Sequence, residues 1–360
     1  MKANMNDSHP ERLKAVLMRI IEGFSEYFVL CLEKSYNQTP NTIEVRNITV
    51  ERKLGATGIH IVKVQLDSDL GSDEASIAVK IYDKQEQALE VVKRINILQT
   101  RLSQERYSHF GISSAAVIFF SRSVIVMEGI QGDVFRDSKI PRPQKYRYAG
   151  RGLAAFHGSK SSRCWFDKYK LLLSRSLENL PATKDYKQVL TNLFAEVVPR
   201  AEQTSKSSGS LSFGDFHPGN LIFDVRIGQT PMIHTHLIDP EYLDTSTEHD
   251  RLEDICNFFA VEAVDQYRQD KSLTKFRMNI KSFLSGYNEV LAHEQTSFSK
   301  YYSEGNYIPV NFHLALMILM SIIHIQGMTD IFGGETGIQN EVILRCQLIE
   351  KLLNWNSFPD

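Results

Sequence analysis

Three oxygen-bearing side chains stand at a spacing suited to moving a phosphoryl group. They lie in Ser212-Phe213-Gly214-Asp215-Phe216-His217-Pro218-Gly219-Asn220 and in Leu237-Ile238-Asp239-Pro240-Glu241. Asn220 follows Asp215 by five positions, and Asp239 follows Asn220 by nineteen. Transfer of the γ-phosphate of ATP needs a carboxylate near the acceptor hydroxyl. It also needs oxygen ligands for the Mg²⁺ that bridges the phosphates. An Asp, an Asn and a second Asp supply those groups. Pro218 and Gly219 permit a tight reversal between the first two. The segments Asn220 to Val225 and Met232 to Ile238 read as short strands joined by a turn near Gly228. Such a hairpin brings Asn220 and Asp239 together at its open end, where both side chains can meet one ion.

These residues resemble the catalytic loop and metal-binding motif of the aminoglycoside phosphotransferase and choline kinase group, small-molecule relatives of the protein kinases. The G-D-x-x-x-x-N part of the family pattern is matched from Gly214 to Asn220, and I-D-x-E from Ile238 to Glu241. Phe213 stands where the family usually has His. The resemblance implies Asp215 as catalytic base and Asn220 and Asp239 as Mg²⁺ ligands. Its implied fold is α+β and bilobal, protein-kinase-like, with a small β-rich N-lobe and a large helical C-lobe. Its implied cofactors are ATP and Mg²⁺.

Further elements extend the resemblance over roughly residues 46–260. Lys80, in Ser76-Ile77-Ala78-Val79-Lys80-Ile81-Tyr82, resembles the V-A-I-K strand lysine that holds the α- and β-phosphates. A strand Lys alone is ordinarily a solvated face residue. Gly55 and Gly58, in Leu54-Gly55-Ala56-Thr57-Gly58, form a shortened glycine loop whose N–H groups could cover phosphates, and hairpin chemistry alone also explains them. Val124 to Gly132 resembles a hinge. There the Glu128 carbonyl and the Ile130 N–H are candidates to read adenine, with Met127 lining the pocket. Glu86 and Glu90 on the following helix are both candidates to pair with Lys80, but both point away from its apolar stripe. The sequence does not choose between them, and a pair that is absent or built differently is the third alternative. Asp254 is expected to brace the catalytic loop, and His157 matches a family helix end.

Elements that position these residues are visible in the hydrophobic periodicity. Pro10 to Leu32 is apolar at helical spacing. Val50 to Leu54, Ile59 to Leu66 and Ser76 to Tyr82 read as strands, Lys84 to Leu102 as a helix, and Ala115 to Ser121 and Ser123 to Glu128 as two more strands. Tyr146 to Phe156, Phe166 to Leu177 and Tyr186 to Ala201 read as helices, as does most of the chain after Arg251. The expected organisation is an N-terminal helical extension over residues 1–45, an ATP-binding lobe over 46–128, and a lobe with the catalytic loop and acceptor-binding helices over 129–360.

Composition narrows the rest. A chain of 360 residues with 42% hydrophobic and 23% charged residues can bury a sizeable core. A net charge of −2 gives no basic field for nucleic acid. Cys31, Cys164, Cys256 and Cys346 lack metal-ligand spacing and suit a reducing, cytoplasmic setting. The apolar run from Leu314 to Ile325 is short for a membrane span and reads as a buried helix. The basic run Arg136, Lys139, Arg142, Lys145 and Arg147 reads as a solvated face that could meet an anionic substrate. A small-molecule hydroxyl is the expected acceptor, because the metal motif reads Asp-Pro-Glu and no A-P-E segment follows. An atypical protein kinase and a non-catalytic scaffold are the alternatives, and neither acceptor identity nor oligomeric state can be read from the sequence.

Overall fold

The alternating apolar residues between 43 and 128 are realised as one antiparallel sheet clamped between helices. The computed structural model describes residues 9–54, 59–158, 184–204, 209–226, 232–292, 308–325 and 332–354. Helix α1 (His9–Ile20) runs through a 3₁₀ turn (Ile21–Phe24) into α2 (Ser25–Tyr36), so the expected single N-terminal helix is broken. Then follow β1 (Ile43–Leu54), β2 (Ile59–Ser68), β3 (Gly71–Ile81), α3 (Gln85–Leu102), β4 (Ile112–Ser114), β5 (Val117–Ser121) and β6 (Val124–Glu128). The sheet order is β1-β2-β3-β6-β5.

Period-two alternation gives this sheet two different faces. Ala75, Ile77 and Val79 of β3 join Leu13 and Leu17 of α1, Phe24 of the 3₁₀ turn, and Phe28 and Leu32 of α2 in one buried cluster. On the other face Ala88, Val91 and Ile95 of α3 cover Ile125. Lys80 belongs to this second face, with Ala78, and both line a narrow apolar cleft beneath the sheet.

The remaining elements are β7 (Asp133–Val134), α4 (Arg142–His157), α5 (Lys184–Thr204), β8 (Gly209–Ser212), β9 (Leu221–Arg226), β10 (Met232–Leu237), β11 (Asp244–Asp250), α6 (Arg251–Asp270), α7 (Thr274–Ala292), α8 (Ile308–Ile325) and α9 (Glu335–Leu353). The β9–β10 hairpin is the centre of a second sheet, ordered β4-β10-β9-β7. Strand β4, which is not among the strands expected from the sequence, runs parallel to β10 and ties the β9–β10 hairpin to the chain that enters the first sheet. Strands β8 and β11 pair antiparallel and flank, in sequence, the Phe213–Asn220 loop and the β9–β10 hairpin.

Helices α4 and α7 cross closely because two glycines face each other's partner. A Cβ at Gly150 would lie 2.1 Å from the Phe283 carbonyl oxygen, and one at Gly286 would lie 1.9 Å from that of Arg147. Phe216, Phe258, Phe259 and Phe283 form an edge-and-stack aromatic cluster beside this crossing. Helix α8 carries the apolar run, with Leu314 to Leu319 buried, and among the described residues no helix is long and apolar enough to cross a membrane. Cys256 and Cys346 are buried and Cys31 is half-buried. Cys164, the Phe166 to Leu177 segment and the turn near Gly228 lie outside the described residues.

Candidate active site

Register places the hairpin ends side by side. Leu221 pairs with Leu237 across β9 and β10, and the Ile238 N–H donates to the Asn220 carbonyl at 3.1 Å. Asn220 is buried, and its Nδ2 donates to the Asp215 carbonyl at 2.9 Å. The amide orientation is inferred from that bond. It leaves Oδ1 as the donor atom available to a cation. Asp239 follows the end of β10 in the left-handed region at φ +58°, an uncommon state for a residue with a side chain.

Lys80 reaches Asp239 from the opposite sheet. Its ammonium, almost wholly buried, lies 3.1 Å from Asp239 Oδ1 and also contacts the Glu241 carboxylate. Tyr82 Oη donates to Glu241 at 2.7 Å, and Arg94 of α3 donates to the Glu241 carbonyl. Glu90 instead pairs with Lys93 and Arg94 on its own helix. The charge partner of Lys80 is thus built from the Asp239-Pro240-Glu241 turn and not from α3. Glu241 was legible as the last residue of the I-D-x-E pattern. Its pairing with Lys80 was not, because the two are 161 residues apart in the chain. Burial raises the Asp239 pKa against the lowering effect of Lys80, with Glu241 and Asp215 adding to the rise. A carboxylate held at this cost gains from a nearby cation. Together with the Asn220 amide oxygen it forms a hard-oxygen pair that suits Mg²⁺.

The loop from Phe213 to Asn220 is braced from below by Asp254. Asp254 Oδ2 accepts from the Phe213 N–H at 2.7 Å and from His157 Nε2 at 3.0 Å. Its Oδ1 accepts from the Gly214 N–H at 3.0 Å and from Ser212 Oγ at 3.1 Å. Four donors therefore converge on one buried carboxylate. Gly214 sits at φ +81°, where a Cβ would lie 2.3 Å from the Tyr242 carbonyl oxygen. Phe213 is fully buried against Phe156 and Phe216, so the departure from the family His is accommodated by packing. Asp215 is half-buried, with His217 Nε2 3.5 Å from its carboxylate. His217 Nδ1 accepts from the Gly219 N–H at 2.9 Å, which puts the ring proton on Nε2, facing Asp215.

His157 is buried between Asp254 and Tyr287, and burial lowers its pKa below the ordinary 6.5. The unfolded chain therefore takes up a proton that the folded one refuses. This contribution is neutral above pH 6.5 and costs stability as pH falls below it. Wild type is expected to lose up to about 1.4 kcal/mol per pH unit through this group. Urea titrations at several pH values should show a shallower acid slope for His157→Gln. Equal slopes would remove His157 as the source.

The chain that leaves β6 borders the cleft. Met127, Glu128 and Ile130 line it with Lys80 and Asp239, and Ile222, Leu237 and Ile238 form its floor. The Gly129 N–H donates to the Ser76 carbonyl at 3.0 Å, which fixes the strand as it leaves the sheet. Lys80, Met127, Glu128, Ile130 and Asp239 thus share one cleft, with Asn220 and Asp215 linked to it through the hairpin. Gly55 and Gly58 lie outside the described residues.

A family model described as the phosphotransferase enzyme family matches residues 72–269, more than half of the chain. The chain belongs to the phosphotransferase enzyme family. The matched span contains Lys80, the hinge, Asp215, Asn220 and Asp239, and it begins after the glycine loop. Among solved structures, an ethanolamine kinase from Plasmodium vivax is 15% identical, with 83% of this chain and 80% of that chain covered and a TM-score of 0.51. An aminoglycoside 2'-phosphotransferase variant in its GDP complex is 14% identical, with 92% and 99% covered and a TM-score of 0.51. At such identities the likeness establishes the fold, and this family member has the α+β, bilobal protein-kinase-like fold. No curated protein matches it significantly.

Proposed function

We propose that the chain transfers the γ-phosphate of ATP to a hydroxyl of a small molecule. The observation that carries this reading is the meeting of Lys80 with Asp239 at the mouth of an apolar cleft, two residues brought from different sheets. Adenine enters between the first sheet and the Ile222–Leu237 floor, reading the Glu128 carbonyl and the Ile130 N–H beside Met127. Lys80 holds the α- and β-phosphates. Asn220 and Asp239 hold Mg²⁺, which when bound neutralises charge on the phosphates. Asp215 orients the acceptor hydroxyl and takes its proton. The hydroxyl oxygen bonds to the γ-phosphorus, the bond from that phosphorus to the β-bridging oxygen breaks, and ADP leaves with the electron pair. The Nε2–H of His217 steadies the Asp215 carboxylate for this task.

In this reading residues 46–128 form the nucleotide-covering lobe and 129–360 the lobe that receives the acceptor. Residues 1–45 are an extension, of which α1 and α2 brace the outer face of the first sheet. Gly55 and Gly58 cover the phosphates. Calorimetry tests the nucleotide half directly. ATP is expected to bind with Mg²⁺ and to lose most of its affinity in EDTA, and Asp239→Ala is expected to weaken Mg·ATP binding by at least about tenfold. A folded wild-type sample that binds neither ATP nor GTP would sink the reading.

A further inference from the structure

A second cavity opens on the far side of the catalytic loop. It measures about 530 Å³ and is lined by His217 and Pro218 of the loop, by the chain after β7, by the start of α4 and by the end of α6. That volume suits a small molecule. His217, which borders it, is the residue whose Nε2 faces Asp215. A molecule seated there therefore borders the residue that contacts the Asp215 carboxylate, with Asp215 itself outside the cavity lining.

The charges of this cavity do not cancel once their pairings are counted. Glu262 accepts from Arg142 Nη2 at 2.6 Å, from Asn279 Nδ2 at 2.6 Å and from the Tyr146 hydroxyl. Three donors already meet it, two on Oε1 and one on Oε2, and Arg142 answers its charge. Asp265 is paired with Arg268 at 2.5 Å and Asp270 with Lys275 at 3.7 Å. Arg136 and Lys145 remain. Neither has a carboxylate within 4 Å among the described residues, and Lys145 spends its donors on the carbonyls of Phe135, at 2.8 Å, and Arg136, at 3.5 Å. The apolar side of the cavity is Phe135, whose ring also lies beneath the Lys145 ammonium at 5.6 Å.

We propose that this cavity receives the acceptor and that Arg136 and Lys145 bind an anionic group on it, a phosphate or a carboxylate, while its hydroxyl faces Asp215. The acceptor class is then an anionic hydroxy compound. Burial and the neighbouring Arg142 depress the Lys145 pKa against the raising effect of Asp137 and Asp133, neither of which lies within 4 Å of the ammonium, and a bound anion would add counter-charge at contact distance. The basic run that the sequence presents as a solvated face is thus divided. Arg142 and Arg147 are used in pairs with Glu262 and Glu289, Lys139 stays exposed, and Arg136 and the one N–H that Lys145 does not give to the carbonyls of Phe135 and Arg136 are left for a ligand.

The inference rests on the transfer reading above, and the two can fail separately. Glycerol 3-phosphate and gluconate serve as the phosphate and carboxylate probes, with choline as the cationic one. Ligand-observed NMR on the full chain measures their binding with and without Mg²⁺ and a non-hydrolysable ATP analogue. At least one anionic probe should bind, and which one identifies the group. Arg136→Ala, at an exposed position, should weaken that binding at least about fivefold, and Arg136→Glu should abolish it, with analogue affinity unchanged in both. Lys145→Gln is the second variant and should act in the same direction. Choline binding in preference to both anions, no anion binding in a protein that binds the analogue, or full anion binding by Arg136→Glu would each overturn the proposal. Anion binding lost in Arg136→Glu by a protein that ignores the nucleotide would keep the anion site and overturn the transfer reading.

Discussion

Asp215→Ala is expected to lower phosphoryl transfer by about 10³-fold while leaving Mg·ATP affinity within about twofold of wild type. The separation follows from how the loop is anchored. Asn220 is held by the Asp215 main-chain carbonyl and not by its carboxylate, so truncation at Cβ leaves that bond in place. The loop's other anchors are the buried rings of Phe213 and Phe216 and the Asp254 carboxylate, none of which uses the Asp215 side chain. Lys80 and Asp239 are untouched as well. What is lost is the group proposed to take the hydroxyl proton. Single-turnover assays beside calorimetry read the two effects independently, and full transfer activity in the variant would remove Asp215 from the chemistry.

The site was legible where chemistry is encoded in short spacings. Asp215, Asn220 and Asp239 sit on one loop and one hairpin, and the register of a hairpin is set locally. Lys80 and Met127 were legible because a strand surrounded by apolar residues fixes which side chains face the cleft. The pairing of Lys80 was not, since helical proximity suggested Glu86 or Glu90. The α3 stripe of Ala88, Val91 and Ile95 docks on the sheet and turns Glu90 toward solvent, where it meets Lys93 and Arg94. Strands β4 and β7 were missed for a related reason. Each is three residues or fewer, too short for period-two alternation to register, and each exists only because the β9–β10 hairpin offers it an edge. The cavity beside His217 was hidden for the same cause. A run of basic residues looks like a solvated face until the acids that neutralise two of them are found more than a hundred residues away.

Asp254→Ala is expected to destabilise the protein by about 3 kcal/mol and to reduce transfer by at least about 10²-fold, although Asp254 touches neither nucleotide nor acceptor. The argument is one of stranded donors. Removing this carboxylate leaves the N–H groups of Phe213 and Gly214, the Ser212 hydroxyl and the His157 ring without their shared acceptor, in a place water reaches poorly. Two of those donors are the main chain immediately before Asp215, so the cost falls on the backbone that aims it. Asp254→Asn restores shape but keeps only one acceptor oxygen, and the amide NH₂ then faces donors it cannot satisfy. It should therefore recover only part of the stability and little of the rate. Chemical unfolding gives the first quantity and the turnover number gives the second. An Asp254→Asn variant with wild-type turnover would show that the loop keeps its geometry without the brace, leaving Phe213 and Phe216 packing as what holds Asp215 in place.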